Sequence, residues 1–242
     1  MKLTSRQIFL DEIREEITTA LLQYIESPAN LNHKADGSPV TALDQNISDL
    51  IKQKIPQLDS RLNYYSEEDF SVFKKPMLIV DPIDGTRELL DGMPEFAVSV
   101  ACLNHEKINH KSNWGWIYNP LTGEESLEKM AKKKAEKTGL ISRSEVESGL
   151  FSDGLIKALN LRAVGSIAYK LLLLYHQQTD YVISLRPKNI WDIAAGTILC
   201  QQNGFDFYSE NKKIKIFDQV HYQAPLIWCR AGEFNRIRKI IS

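Results

Sequence analysis

The sequence predicts an α/β protein in two parts, an α+β lobe over residues 1–135 and an α/β lobe over residues 136–242. Three observations point there. Two long stretches of helical period precede the first strand-like runs. Strand-like and helix-like segments then alternate through the second half. The 242 residues suffice for one large domain or two small lobes around a continuous core.

Residues 5–26 place Ile8, Phe9, Ile13, Ile17, Leu21 and Ile25 near the helical period, and Ser27 with Pro28 ends that helix. The turn-rich segment NHKADGSPVTALD (32–44) follows. A second helix, carried by Asp44, Ile47, Leu50, Ile51 and Ile55, is expected to stop at Pro56. Residues 62–65 read as a short strand running into Ser66, Glu67, Glu68 and Asp69, and 77–80 as a second strand ending at Asp81. FAVSVACL (96–103) and WGWIY (114–118) read as a strand pair. EKMAKKKAEK (128–137) is a charge run, read as a solvated face, and the lobe boundary falls near 132–140. Beyond it, strands at 140–142, 161–164, 180–185, 205–208 and 226–229 alternate with helices at 152–159, 166–177, 192–203 and 233–241. Gly204 sits where a helix-ending glycine belongs. No repeat, low-complexity segment or flexible linker interrupts this order.

Composition narrows the function classes. Hydrophobic residues make up 43% and charged residues 25%, as in a soluble globular protein, and the formal net charge is −1. That balance, with no basic aromatic stripe, argues against nucleic acid as a partner. Cys102, Cys200 and Cys229 lie far apart in apolar runs without CxxC spacing, and read as buried reduced thiols. The charged N-terminal stretch lacks the apolar segment of a signal peptide, and no run reaches membrane-spanning length. The expectation is a cytoplasmic protein, monomer or homodimer, acting on a small molecule.

Acidic residues stand where elements begin or end. Asp44 and Asp192 open helices, Glu67 and Glu68 follow one strand, and Asp81 and Asp84 follow another. Singly, each has a plain structural explanation as a helix-start acid or turn residue. Together they can converge on one cleft that divalent cations neutralise. Oxygen ligands without nearby His or Cys favour Mg²⁺ or Mn²⁺ over Zn²⁺. Two such ions can clamp the attacking and leaving oxygens of an in-line displacement. Gly85 and Thr86 add a backbone that can approach an anion. A covalent phosphatase of the haloacid dehalogenase type needs DxDGT; here Pro82 fills the place of the first aspartate, so the register is wrong.

PVTALD (39–44), SEED (66–69), DPIDGT (81–86) and WDIAAG (191–196) occur in the order seen in the Mg²⁺-dependent, lithium-sensitive phosphatases, which the chain resembles over nearly its whole length. That family includes inositol monophosphatases, fructose-1,6-bisphosphatases and 3′(2′),5′-bisphosphate nucleotidases. The resemblance implies a layered α/β/α/β/α sandwich and a set of roles. Glu67, Asp81 and the Ile83 carbonyl would hold one Mg²⁺. Asp81, Asp84 and Asp192 would hold a second, with Glu68 reaching a weaker one through water. Asp44 and Thr86 would orient and deprotonate the attacking water, with Glu67 also catalytic. Ile83, Asp84, Gly85, Thr86 and Asp192 would line the phosphate site.

DPIDGTREL (81–89), KADGSPVTALD (34–44), ISRS (141–144), Gly165-Ser166 and NIWDIAAG (189–196) look most like the nucleotidase branch, the sulfur-assimilation phosphatases. Where inositol monophosphatases carry a glutamate before WD, SLRPKNIWD (184–192) offers Arg186 and Lys188, charge partners for a second phosphate unless they are merely exposed. The expected activity is hydrolysis of adenosine 3′,5′-bisphosphate to AMP. Alternatives are an inositol monophosphatase-like enzyme for a polyol or sugar phosphate, and an inactive metal-dependent binding protein. Leu43, Leu89 and the short segment 121–139 depart from the branch pattern, which touches the cleft edge rather than the metal ligands.

Overall fold

The computed structural model describes residues 4–27, 31–33, 39–69, 72–128 and 136–241. In chain order the first half forms α1 (Ser5–Glu26), β1 (Leu31–His33), β2 (Pro39–Thr41), α2 (Ala42–Asp59), β3 (Asn63–Ser66), β4 (Met77–Asp84), α3 (Thr86–Leu90), β5 (Ala97–Leu103) and β6 (Trp114–Tyr118). The second half forms β7 (Gly139–Ser142), α4 (Arg143–Glu147), α5 (Asp153–Ala158), β8 (Leu161–Val164), α6 (Ile167–Tyr175), β9 (Tyr181–Ser184), β10 (Lys188–Asn189) and α7 (Ile190–Gln202). It closes with β11 (Asp206–Ser209), β12 (Lys212–Ile214), β13 (His221–Tyr222), β14 (Leu226–Cys229) and α8 (Phe234–Ile241).

The layers follow from which faces are apolar. Phe9, Ile13 and Ile17 of α1 and Ile47 and Ile51 of α2 pack on one face of the sheet β3-β4-β5-β6, against Leu78, Val80 and Val98. The other face of that sheet presents Ile79, Ala97 and Ala101 to α6 and α7. Those two helices also cover a six-stranded sheet, β12-β11-β14-β9-β7-β8, through Val182, Phe207 and Trp228. Phe234 and Ile237 of α8 close its outer face with Phe151 and Leu159. The stack is therefore α/β/α/β/α, as the family resemblance implied. α7 is buried nearly all round because its sequence, IWDIAAGTILC, is apolar on every side. Its backbone approaches β6 so closely that a Cβ on Gly115 would fall 2.4 Å from the Ala195 carbonyl oxygen.

Two expected stops are absent. α2 runs through Pro56 to Asp59. Proline forfeits one hydrogen bond there, and Ile55, buried against α1 and the sheet, holds the last turn in place. β4 likewise continues past Asp81 through Pro82 to Asp84. Asp81 pairs with Ser99 and Asp84 with Ala97, so β4 spends one residue more than β5 between these pairs. This bulge accommodates Pro82 and resets the alternation. Without it, carboxylates three residues apart would point to opposite faces; with it, Asp81 and Asp84 share the face toward α7. The short pairs β1-β2 and β10-β13, the strand β12 and helix α4 were not anticipated. Of the charge run 128–137, residues 129–135 lie outside the described residues, as does 34–38 of the KADGSPVTALD segment. Cys102, Cys200 and Cys229 are buried free thiols, as expected.

Candidate active site

Gly85 ends β4 with φ +98, a left-handed conformation, and a Cβ there would stand 3.1 Å from both Phe96 Cβ and Ser166 Cβ. The turn hands the chain to α3 and aims Thr86 at α2. Thr86 Oγ1 lies 3.2 Å from Asp44 Oδ1 and 3.2 Å from the Ile83 carbonyl oxygen. Asp44 is fully buried in the first turn of α2. Its other oxygen accepts the Thr41 N–H at 2.8 Å and the Thr41 hydroxyl at 2.6 Å, a capping box that fixes the carboxylate. One oxygen thus anchors the helix and the other faces Thr86.

Asp84 is joined to the opposite wall. Its Oδ2 accepts the Ser166 hydroxyl and the Ala168 N–H at the start of α6. The turn before α6 is held atom by atom. Gly165 N–H donates to Glu95 Oε2 at 2.7 Å, and Arg143 Nη2 donates to the same carboxylate at 2.6 Å. Arg143 Nη1 stands 3.6 Å from Glu88 Oε1. Beneath the turn, the fully buried Lys170 ammonium donates to the carbonyls of Val164 (3.2 Å), Gly165 and Ser166 (3.0 Å). Burial lowers the Lys170 pKa to about 8, and the Asp84 charge opposes that shift. Burial also raises the Glu88 carboxyl.

Asp192 occupies the first turn of α7 and accepts the Asn189 N–H at 2.8 Å. Loss of hydration pushes its pKa up to about 7; the charges of Asp84 and Glu67 add to the rise, while Lys188 counters it. Glu67 follows β3 and binds the Val80 carbonyl through its N–H at 3.3 Å, beside Asp81. Asp81 is buried next to Ser99, whose hydroxyl reaches the Trp191 carbonyl at 3.3 Å and ties β5 to the residue before Asp192. Glu67, after β3, and Asp84, at the end of β4, thus act on the charge of Asp192 at the start of α7, and Asp81 and the Ile83 carbonyl belong to the same strand as Asp84. The donors are all oxygen, suited to a hard cation, and like-charge crowding on Asp192 is the imbalance such a cation relieves. Among the described residues, no three acidic, His or Cys side chains already stand at the ligand distances of a single ion. Asp84 is instead turned onto Ser166 and Ala168, and Asp192 onto Asn189.

A cleft of about 130 Å³ opens beside Asp84, Gly85 and Ser166, walled by Glu88, Arg143 and Lys188 among others. Gly165, Ser142 and Ser144 also line it, so ISRS and Gly165-Ser166 meet there. Arg186 does not join them. It is exposed and donates to Ser148 Oγ at 2.8 Å, while Glu145 holds its backbone N–H at 2.9 Å. Glu88, Glu95, Arg143 and Lys170 were not singled out from the sequence as site residues. Lys170 carried a usable signal, being the one charge inside IAYKLLLLY. Glu95 carried none.

Residues 5–156 match the model of the inositol monophosphatase family. The 3′(2′),5′-bisphosphate nucleotidase CysQ of Escherichia coli strain K12 is 28% identical over 187 residues, covering 70% of this chain and 75% of that protein. The fructose-1,6-bisphosphatase/inositol-1-monophosphatase of Archaeoglobus fulgidus is 25% identical over 213 residues, covering 83% and 81%. Among solved structures, Thermotoga maritima IMPase superposes with a TM-score of 0.79 at 19% identity, covering 98% of this chain and 97% of that one. An IMPase/NADP phosphatase complexed with Mg²⁺ and phosphate gives 0.76 at 18% identity, covering 98% and 96%.

Proposed function

The chain belongs to the inositol monophosphatase family and is a phosphoric monoester hydrolase acting on small phosphate esters, and from that premise we propose that it is a Mg²⁺-dependent 3′(2′),5′-bisphosphate nucleotidase. Its reaction is adenosine 3′,5′-bisphosphate plus water to AMP plus phosphate. The observation that carries the reading is the contact of Thr86 Oγ1 with Asp44 Oδ1, beside Asp84 and the cleft. Asp44 is the base end of that pair: its Oδ2 is committed to Thr41, which leaves Oδ1 to take a proton relayed by the Thr86 hydroxyl from the attacking water. Gly85 and Thr86 N–H groups receive the phosphate oxygens. Glu67, Asp81, the Ile83 carbonyl, Asp84 and Asp192 would hold the Mg²⁺, which when bound supplies charge neutralisation and an acidified water. Lys188, which lines the cleft, would meet a second phosphate. The buried thiols suit a reducing, cytoplasmic compartment.

A second reading, hydrolysis of a polyol or sugar monophosphate, draws on one observation. Only one of the two expected cations, Lys188, lines the cleft, while Arg186 faces Ser148. Phosphate release with Mg²⁺ from adenosine 3′,5′-bisphosphate, its 2′ isomer, inositol 1-phosphate and fructose 1,6-bisphosphate separates the two. A bisphosphate nucleotidase shows the highest kcat/KM on the nucleotides. Preference for inositol 1-phosphate overturns the proposal, and no release from any of them overturns the catalytic reading of the site.

A further inference from the structure

At the other end of α7 from Asp192 lies a second polar cavity of about 490 Å³. Arg6 of α1, Asn109 and Lys111 of the β5–β6 loop, Trp114 of β6, and Gln201 and Gln202 of α7 line it. No carboxylate does so among the described residues. Its size falls in the ordinary range of small-molecule sites.

Arg6 is the feature that needs an explanation. It is partly buried, with its guanidinium 4.7 Å from the centre of the Trp114 ring. The ionisable groups it senses are Cys102 and Tyr175. Burial raises the Cys102 thiol to about 11 and raises the Tyr175 phenol, so both are neutral at physiological pH. The guanidinium is thus partly withdrawn from water with no anionic counterpart among the described residues, an arrangement that an incoming anion relieves. Lys111 adds a second charge from a loop that is fixed in place. Asn113 is buried at its base; its Oδ1 accepts the N–H groups of Asn104 and His105, each at 2.9 Å, and its Nδ2 donates to the His105 and Lys107 carbonyls, each at 2.9 Å. Gln202 Nε2 donates to the Asn113 carbonyl at 3.1 Å and ties the loop to α7. The pocket is preformed.

We propose that this cavity is a second ligand site, separate from the catalytic cleft, for a small phosphate-bearing anion held by Arg6 and Lys111. The arginine fork matches phosphate oxygens, and the side-chain amide of Asn109, which also lines the cavity, offers a further donor. A docked protein is the weaker occupant. None of the exposed large apolar side chains, such as Ile8, Leu22 or Leu121, lines the cavity, so the apolar centre of a protein interface is missing.

Chemical protection tests this without relying on catalysis. Phenylglyoxal modification of Arg6 is followed by peptide mass mapping in the Mg²⁺-loaded protein, with inorganic phosphate or methylphosphonate as probe. Arg61, whose side chain is 81% exposed, is the internal reference. Saturating phosphate should slow Arg6 modification about tenfold and leave Arg61 unchanged. Protection by methylphosphonate as well identifies a site for phosphate esters; protection by phosphate alone identifies free phosphate. Lys111→Gln should remove most of the protection without altering turnover. An Arg6 rate indifferent to both anions overturns the proposal, as does protection undiminished in Lys111→Gln. Protection that grows with protein concentration and needs no added anion overturns it in favour of a second copy of the chain.

Discussion

The two ends of α7 carry opposite surpluses of charge. At its first turn Asp192 feels the charges of Asp84 and Glu67, with Lys188 as a partial counterweight. At its last turn Gln201 and Gln202 share a cavity with Arg6 and Lys111 and, among the described residues, no carboxylate. The helix dipole favours both arrangements, acid at the N-terminus and base at the C-terminus, but by about 1 kcal/mol or less each. That is too little to justify crowding carboxylates or drawing a guanidinium out of water. Each surplus therefore speaks for something outside the chain: cations and a phosphate ester at one end, an anion at the other.

Neutralising the acidic end should break the comparison most severely. Asp84→Asn or Asp192→Asn is expected to lower phosphate release by orders of magnitude while circular dichroism stays native. Wild-type turnover in either variant would remove the cluster from the chemistry. Thr86→Ala comes next. It should lower kcat by about 10² and move KM far less, because the hydroxyl orients the water more than it binds substrate. Equal losses in both constants would contradict that role.

A pH effect on the metal-free protein sharpens the picture. The Asp192 carboxyl is raised from 3.8 to about 7 in the folded chain. Between those values the folded state holds a proton that the unfolded state has released, so its contribution to stability is complete below about 4 and lost as pH rises to about 7. Melting temperature in chelator should fall across that window, and Asp192→Asn should flatten the slope. A wild-type slope that persists in the variant would place the effect elsewhere. The smallest expected difference separates two cations. Lys188→Gln should raise KM for a bisphosphate nucleotide several-fold, to about tenfold, whereas Arg186→Gln should leave it within about twofold. The reverse order would return Arg186 to the substrate pocket.

Much of this site was legible because its residues stand at the starts and ends of elements. Asp44 and Asp192 each fall at the third helical position, where a capping acid is expected, and Gly85-Thr86 marks a turn that only glycine makes easily. What stayed hidden depends on pairing across the chain. The bulge that turns Asp81 and Asp84 to one face is a relation between β4 and β5, and local sequence showed only Pro82. Glu95 looks like any loop glutamate until Gly165 and Arg143 close on it. Arg186 looked like a partner for Lys188 by adjacency, yet it lies in the bend between β9 and β10, where Glu145 holds its backbone N–H and Ser148 takes its guanidinium. In the fold, the long amphipathic helices were evident, while two-residue strands such as β10 and β13 owe their existence to each other.

The central layer bears on how the molecule comes apart. Its core joins Tyr65, Ile79 and Ala101 from the first half of the chain to Leu140, Phe207 and Trp228 from the second, with α6 and α7 between them. Neither half can keep its inner face dry after the other leaves, so melting should be cooperative across the whole stack. A single calorimetric transition, with van't Hoff and calorimetric enthalpies in agreement, is the expected signature. Two resolved transitions would mean that the shared layer parts along a seam.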